Sequence, residues 1–148
     1  METHEFLFRV ITDERSTAKV PLPQDIPWEI ENWQIENFVE KLSRLDVGVC
    51  PLADDIWSRG KAGYKILEYM SLQVPPIASD VGYNREIIED GADGFLVTTE
   101  TEWWSRLKEM IENPGLRDQM GRRGRLKVER VYSLQAWRDR ILTFIKNA

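Results

Sequence analysis

The residues best suited to bind a ligand lie in a short amphipathic segment, Lys61–Met70. On a helical wheel one side is apolar, and the other carries Lys61, Tyr64, Lys65 and Glu68. The polar face starts at Gly63, where free backbone N–H groups, the helix dipole and the two lysines favour a phosphate. Glu68 follows about one turn later, where its carboxylate can accept hydrogen bonds from vicinal hydroxyls such as those of a ribose. Together these positions predict a site for a nucleoside diphosphate.

A plain surface helix explains the same segment without any ligand. Lys65 and Glu68 would then form an i,i+3 ion pair, which contributes little in water. The segment by itself does not separate the two interpretations, so the flanking sequence is needed.

The elements that must position this segment alternate between strands and helices. Apolar and alternating patterns predict strands at 5–12, 28–33, 46–51, 74–79 and 94–98. Helical patterns are predicted at 35–45, 63–73, 84–90 and from 101 to the end, with an interruption at Asn113-Pro114; 13–27 and 54–60 are predicted loops. Such alternation indicates a parallel sheet covered on both faces, in which ligands lie beyond the carboxyl ends of the strands.

The bulk composition excludes several function classes. The formal charge of −5 argues against a nucleic-acid binder. The basic run Arg117–Arg130 is flanked by acidic segments and is interpreted as a solvated helix face. No stretch is long and apolar enough for a membrane span, and the start lacks a signal-peptide pattern, so we expect a cytoplasmic protein.

Metal and nucleophile chemistry has few candidate residues. The single cysteine, Cys50, lies in an apolar run and is expected to be a buried, unreactive thiol. The single histidine, His4, lies near the N-terminus, which argues against histidine acid–base chemistry. No Cys-rich zinc site is possible, and we predict no metal site.

Five segments in order carry a family resemblance over the middle of the chain. They are Asp46–Leu52, Lys61–Met70, Pro75–Gly82, Asn84–Ile88 and Asp90–Val97. At these spacings the chain resembles the C-terminal, donor-binding domain of retaining GT-B glycosyltransferases (glycosyl transferases group 1-like). The resemblance implies an α/β, Rossmann-like parallel sheet with helices on both faces that ends in a long helical segment.

The resemblance also assigns roles through a Glu-x7-Glu donor motif. Its second glutamate matches Glu68 and is expected to hold the nucleotide ribose, while backbone amides at Gly63, Tyr64 and Lys65 approach the diphosphate. The first glutamate, expected at the transferred sugar, falls at Gly60, so donor-sugar recognition departs from the pattern. Either Asp54 or Asp55 in the preceding loop could substitute.

A second group of residues borders the expected donor pocket. It comprises Gly60, Asp80, Gly82, Tyr83 and Asn84. Turn chemistry explains Asp80 and Gly82 without any ligand. No residue is assigned to catalysis.

As a function, the resemblance implies transfer of a sugar, with retention, from a nucleotide-diphosphate sugar to a glycan or glycolipid. The nucleotide sugar would be a co-substrate, with no other cofactor. A non-catalytic nucleotide-sugar-binding or regulatory module, or an α/β interaction domain without a ligand, stays open as an alternative.

We expect the 148 residues to form one domain that begins late within the family's domain and lacks the acceptor domain. The isolated chain would then be inactive. Exposed aromatic side chains would contact the missing part or a second copy. The candidates are Trp28, Trp33, Trp137 and Phe144.

Overall fold

The computed structural model of the chain describes residues 6–13 and 25–147. Its contacts divide into two compact units, Met1–Arg44 and Leu45–Ala148. The expectation of one domain over the whole chain stays a prediction, and each unit is described by itself. His4 and most of the predicted loop at 13–27 lie outside the described residues.

The first unit contains a pair of parallel strands and one short helix. Strand β1 is Phe8–Thr12, strand β2 is Trp28–Asn32, and helix α1 is Phe38–Ser43. Both strands occur where alternation predicts them. Charge pairing reinforces the register, since the Arg9 guanidinium on β1 contacts the carboxylates of Glu29 and Glu31 on β2.

The second unit is a three-stranded parallel sheet with helices between its strands. Strands β3 (Gly48–Cys50), β4 (Pro76–Ser79) and β5 (Phe95–Val97) pair in that order. The helices are α2 (Ile56–Arg59), α3 (Tyr64–Ser71), α4 (Asn84–Ile87), α5 (Glu100–Glu112), α6 (Pro114–Lys127) and α7 (Leu134–Asn147), with a π-helical turn at Val128–Tyr132. This arrangement confirms the predicted α/β class and its parallel strands.

Helices cover this sheet on both faces, as predicted. Ala78 of β4 packs with Ile66 and Met70 of α3 on one face. The neighbouring Ile77 points to the other face and packs with Met110 of α5 and Met120 of α6. Because successive strand residues face opposite sides, one strand contributes to both clusters and fixes α3 relative to α5 and α6.

Several helices differ from the predictions. Helices α1 and α4 are shorter than the predicted 35–45 and 84–90. Residues 56–59 form α2 instead of the predicted loop; Asp55 caps it by accepting a hydrogen bond from the Ser58 N–H at 2.7 Å. A four-residue helix is too short to show a period. The helix predicted from 101 to the end also breaks at Ser133, whose hydroxyl caps α7 by accepting from the Ala136 N–H at 3.1 Å.

The interpretation of the basic run as a solvated face is wrong in part. Arg122 is exposed, but Arg117 reaches the end of α5 and donates to the carbonyls of Met110 (2.6 Å) and Ile111 (3.1 Å). Carbonyls in the last turn of a helix lack intrahelical partners and carry partial negative charge. The run therefore supplies cations that complete other helices.

Candidate functional site

Helix α3 begins at a glycine, and any other residue at this position would be strained. Gly63 caps the helix in the left-handed conformation, with φ 65° and ψ 20°. A Cβ on Gly63 would also overlap the side chain of Ile87, which is fully buried at the end of α4. Both the backbone angle and the close approach therefore require glycine here.

Three backbone donors are available at this helix tip. The N–H groups of Gly63, Tyr64 and Lys65 donate to no acceptor within residues 6–13 and 25–147, whereas the Gly63 carbonyl accepts from the Ile66 N–H at 3.0 Å. Free N–H groups in a first helical turn form an anion-binding surface. The tip of α3 is thus chemically suited to a phosphate.

Two lysines add positive charge next to the tip, Lys65 in the first turn of α3 and Lys61 in the loop before it. Both are exposed, and neither forms an ion pair with another described residue. Both ammonium groups act electrostatically on Cys50, the last residue of β3, although burial has the larger effect on its pKa. The topology places ligands at the carboxyl ends of such strands.

The Cys50 thiol itself is not activated by these cations. Burial is the larger influence and raises its pKa above the ordinary value, so the thiolate is disfavoured. The raised pKa fits the expected unreactive thiol, but Cys50 is only partly buried, not buried as expected.

Glu68 lies about one turn into α3 and is partly buried. Burial raises the pKa of its carboxyl group, and nearby Lys65 opposes that rise. No side-chain or backbone donor within the described residues bonds to the carboxylate, which is therefore free to accept hydrogen bonds from a ligand.

The loop after β4 contacts the last residue of α2 directly. Gly82 has φ 55°, and a Cβ there would lie 2.8 Å from the carbonyl oxygen of Arg59. The loop approaches the end of the helix this closely because Gly82 has no side chain. The structure thus brings Gly82 beside the residue that precedes Gly60.

Most polar side chains of this second group already have partners within the protein. Asn84 is buried and donates to the Ser79 carbonyl at 2.9 Å. Asp80 accepts from Arg85 at 2.5 Å. Tyr83 is half-exposed and is the member of the group whose side chain is open to a ligand.

Gly60 has ordinary backbone angles and space around it. It ends α2 with φ −83°, and a Cβ there would lie 3.5 Å from its nearest neighbour, the Trp57 carbonyl oxygen. A Cβ fits at this position and the backbone angles suit other residues, so neither of these features requires glycine.

Neither aspartate considered as a substitute for the missing glutamate has a free carboxylate. Asp54 accepts from the Arg59 guanidinium at 2.6 and 3.0 Å, and this bonding lowers its pKa. Asp55 caps α2, and the hydrogen bond from the Ser58 N–H lowers its pKa.

Sequence reasoning missed three features that surround the tip. Ile87, which packs on Gly63, showed only ordinary apolar periodicity. The Arg59 guanidinium at the end of α2 and, to a smaller extent, the Arg85 guanidinium of α4 lower the pKa of Asp54. The Trp57 side chain on α2 is 79% exposed.

The described part of the chain contains neither a metal-ligand cluster nor a membrane-spanning helix. Across residues 6–13 and 25–147, no group of three or more His, Cys, Asp or Glu side chains is placed to hold a metal ion. In the same part of the chain, every helix is too short or too polar to cross a bilayer.

Comparison with known proteins gives a family and a fold. The family model for glycosyl transferases group 1 matches residues 26–127, whereas no curated protein matches. HepE from Anabaena, solved with UDP and glucose, is 14% identical over 95% of this chain and 40% of its own, with a TM-score of 0.73.

Two further solved structures are similar. A TarM variant from S. aureus, in complex with Fondaparinux, alpha-GlcNAc-glycerol and UDP, is 18% identical over 79% of this chain and 23% of its own (TM-score 0.64). The C-terminal domain of LpcC, a glycosyl transferase group 1 family protein from Francisella tularensis, is 24% identical over 74% of this chain and 56% of its own (TM-score 0.62). This chain thus spans about a quarter of the length of TarM, 40% of that of HepE and just over half of that of the LpcC domain. The sequence resemblance and the fold it implies are confirmed.

A matched pair of glycine substitutions tests the geometry of the tip. Gly91 has φ 77° but open space around it, so Gly91→Ala should cost only the backbone strain, about 1–2 kcal/mol. Gly63→Ala adds the overlap with Ile87 and should cost about 2–4 kcal/mol. Urea unfolding of both variants gives the difference, and equal losses of stability would contradict the Ile87 contact.

Proposed function

Because the chain belongs to the glycosyl transferases group 1 family, we propose that it binds a nucleotide-diphosphate sugar at the tip of α3. One observation carries this proposal: among the described residues, three N–H groups without acceptors and two lysines without ion pairs lie at the start of α3, and the Glu68 carboxylate lies about one turn further along it. The structures of HepE and TarM with UDP support the choice of ligand class.

Each part of this surface matches one part of such a ligand. The diphosphate would accept from the N–H groups of Gly63, Tyr64 and Lys65, with Lys61 and Lys65 balancing its charge. The ribose hydroxyls would donate to Glu68. The same amides and cations would stabilise the nucleoside diphosphate as it leaves the sugar, because negative charge grows on it as that bond breaks.

We propose that the reaction is transfer of a hexosyl group, with retention, to a glycan or glycolipid acceptor in polysaccharide or glycoconjugate assembly. The sequence resemblance supports this finer assignment, and the family supports transferase chemistry as such. The nucleotide sugar is a co-substrate, and no other cofactor is proposed. The cytoplasmic location stays a prediction.

Nucleotide titration tests the site. UDP, GDP and ADP, each titrated while amide shifts are followed, should perturb residues 63–68 for at least one nucleotide. Glu68→Gln should weaken that binding about tenfold or more, because hydrogen bonds to a charged acceptor are strong. Glu100→Gln, an exposed glutamate at the start of α5, is the matched control and should bind normally. Absence of any perturbation at 63–68 with all three nucleotides would refute the proposal.

The pH dependence of nucleotide binding distinguishes a direct contact with Glu68 from an effect of Glu68 on protein stability. Ribose hydroxyls require the ionised carboxylate, so affinity should fall as pH drops through a Glu68 pKa that lies above its ordinary 4.5. Protein stability should respond in the opposite sense, because a raised carboxyl pKa means that the folded chain binds the proton more tightly than the unfolded chain. Glu68→Gln should retain only the pH dependence of the nucleotide itself. Identical profiles for the two proteins would exclude the Glu68–ribose contact.

The second candidate function, a non-catalytic nucleotide-sugar-binding or regulatory module, is favoured by Gly60. A Cβ fits at this position, so we expect the Gly60→Glu variant to fold. Its carboxylate should raise the affinity for UDP-glucose, relative to the affinity for UDP, about tenfold. Gly60→Gln controls for size without charge. An affinity ratio that neither substitution changes would place the sugar away from position 60.

We also propose that the chain alone binds the nucleotide sugar but transfers little of it, because positioning both substrates supplies much of the rate. The exposed aromatic surfaces would contact a further protein domain or a second copy. The residues are Trp28, Trp33, Trp137 and Phe144, all exposed. Sugar transfer by the purified chain to an added acceptor would contradict the first statement, and a monomeric sedimentation profile at every concentration would contradict self-association.

A further inference from the structure

Helix α6 supplies cations to the two helices that form the candidate site. The Arg125 guanidinium donates to the carbonyl of Ser71, the last residue of α3. The Lys127 ammonium donates to the carbonyl of Ile87, the last residue of α4, at 2.9 Å. Since the C-terminal end of a helix carries partial negative charge, both contacts hold a helix through its C-terminal carbonyls.

Lys127 is itself held by a buried acid. Asp93 is 2% exposed, forms an ion pair with Lys127, and accepts from the Glu89 N–H at 2.8 Å through its other oxygen. A buried carboxylate needs its counter-charge, because burial of an unpaired charge is costly. Asp93 therefore fixes the ammonium group at the Ile87 carbonyl.

The contacts continue from Lys127 to the ligand-facing backbone. Lys127 donates to the carbonyl of Ile87. The side chain of Ile87 fills the space beside the α-carbon of Gly63. Movement of Ile87 would therefore change the direction of the N–H groups that begin α3. The other end of α3 is constrained independently, since a Cβ on Gly121 of α6 would overlap the Gln73 carbonyl.

We propose that Lys127, fixed by Asp93, is a positioning residue for the nucleotide diphosphate. It does not touch the ligand, and it acts through Ile87 on the N–H groups of Gly63 and its neighbours. This inference rests on the proposed function for its ligand, whereas the effect on Gly63 can be measured without one.

The test removes both charges together, because Lys127→Gln alone would leave Asp93 buried and unpaired. The Asp93→Asn, Lys127→Gln double variant should shift the Gly63 and Tyr64 amide resonances in the ligand-free protein. It should weaken UDP binding about tenfold, since small displacements of a binding group have large effects. The single variant Lys127→Arg keeps the positive charge and the hydrogen-bond donor, so it should retain most of the wild-type affinity for UDP. Arg122→Gln is the control, because within the described part of the chain Arg122 pairs only with Asp118 on its own helix, and this variant should bind UDP normally.

Ile87→Val provides a second route if the double variant does not fold. It removes the Cδ1 atom that approaches Gly63 and leaves the ion pair in place, so it should shift the same amides. The proposal is overturned if the folded double variant, or Ile87→Val in its place, leaves these amides and the UDP affinity unchanged. Loss of thermal stability with unchanged UDP affinity would likewise reduce Lys127 to a structural role. If wild-type protein does not bind UDP but the Gly63 amide still shifts, the nucleotide assignment for UDP fails while the positioning effect stands.

Discussion

The contact between the Gly63 α-carbon and the Ile87 side chain is the constraint on which the candidate site depends. It leaves no room for a Cβ, and the left-handed angle at Gly63 starts α3 at that point. Because the helix starts there, its first N–H groups have no acceptor among the described residues, and Lys65 and Glu68 follow along the helix. A helix started one residue earlier or later would turn its polar face by about 100°.

The charge distribution of the site differs from that of the whole chain. The chain carries −5 overall, yet Lys61 and Lys65, at the start of α3, form no ion pair with another described residue. Asp54 and Asp55 accept hydrogen bonds from the Arg59 guanidinium and from the Ser58 N–H. The lysines and the free backbone N–H groups of the helix tip therefore attract an anionic ligand.

The basic segment of α6 shows how a charge pattern acquires a structural role. Arg117, Arg125 and Lys127 each donate to carbonyls at the end of a different helix. The residues joined by these contacts are separated by 6 to 54 positions in the sequence. They tie α3, α4 and α5 to one element, so the site geometry depends on residues that never approach the ligand.

The sequence by itself determined the order of strands and helices, the parallel α/β class, and the polar face from Lys61 to Glu68. These features depend on local periodicity and on short motifs, which a linear pattern displays directly. The predictions differ from the structure where a capping side chain decides where a helix begins. Asp55 does so for α2, and Ser133 does so for α7. Only the tertiary structure showed that Ile87 covers Gly63, that Lys127 holds Ile87, and that Asp54 and Asp80 already have arginine partners. Such contacts join residues through space after the sheet and its helices have packed, and no spacing rule along the chain encodes which side chains will meet.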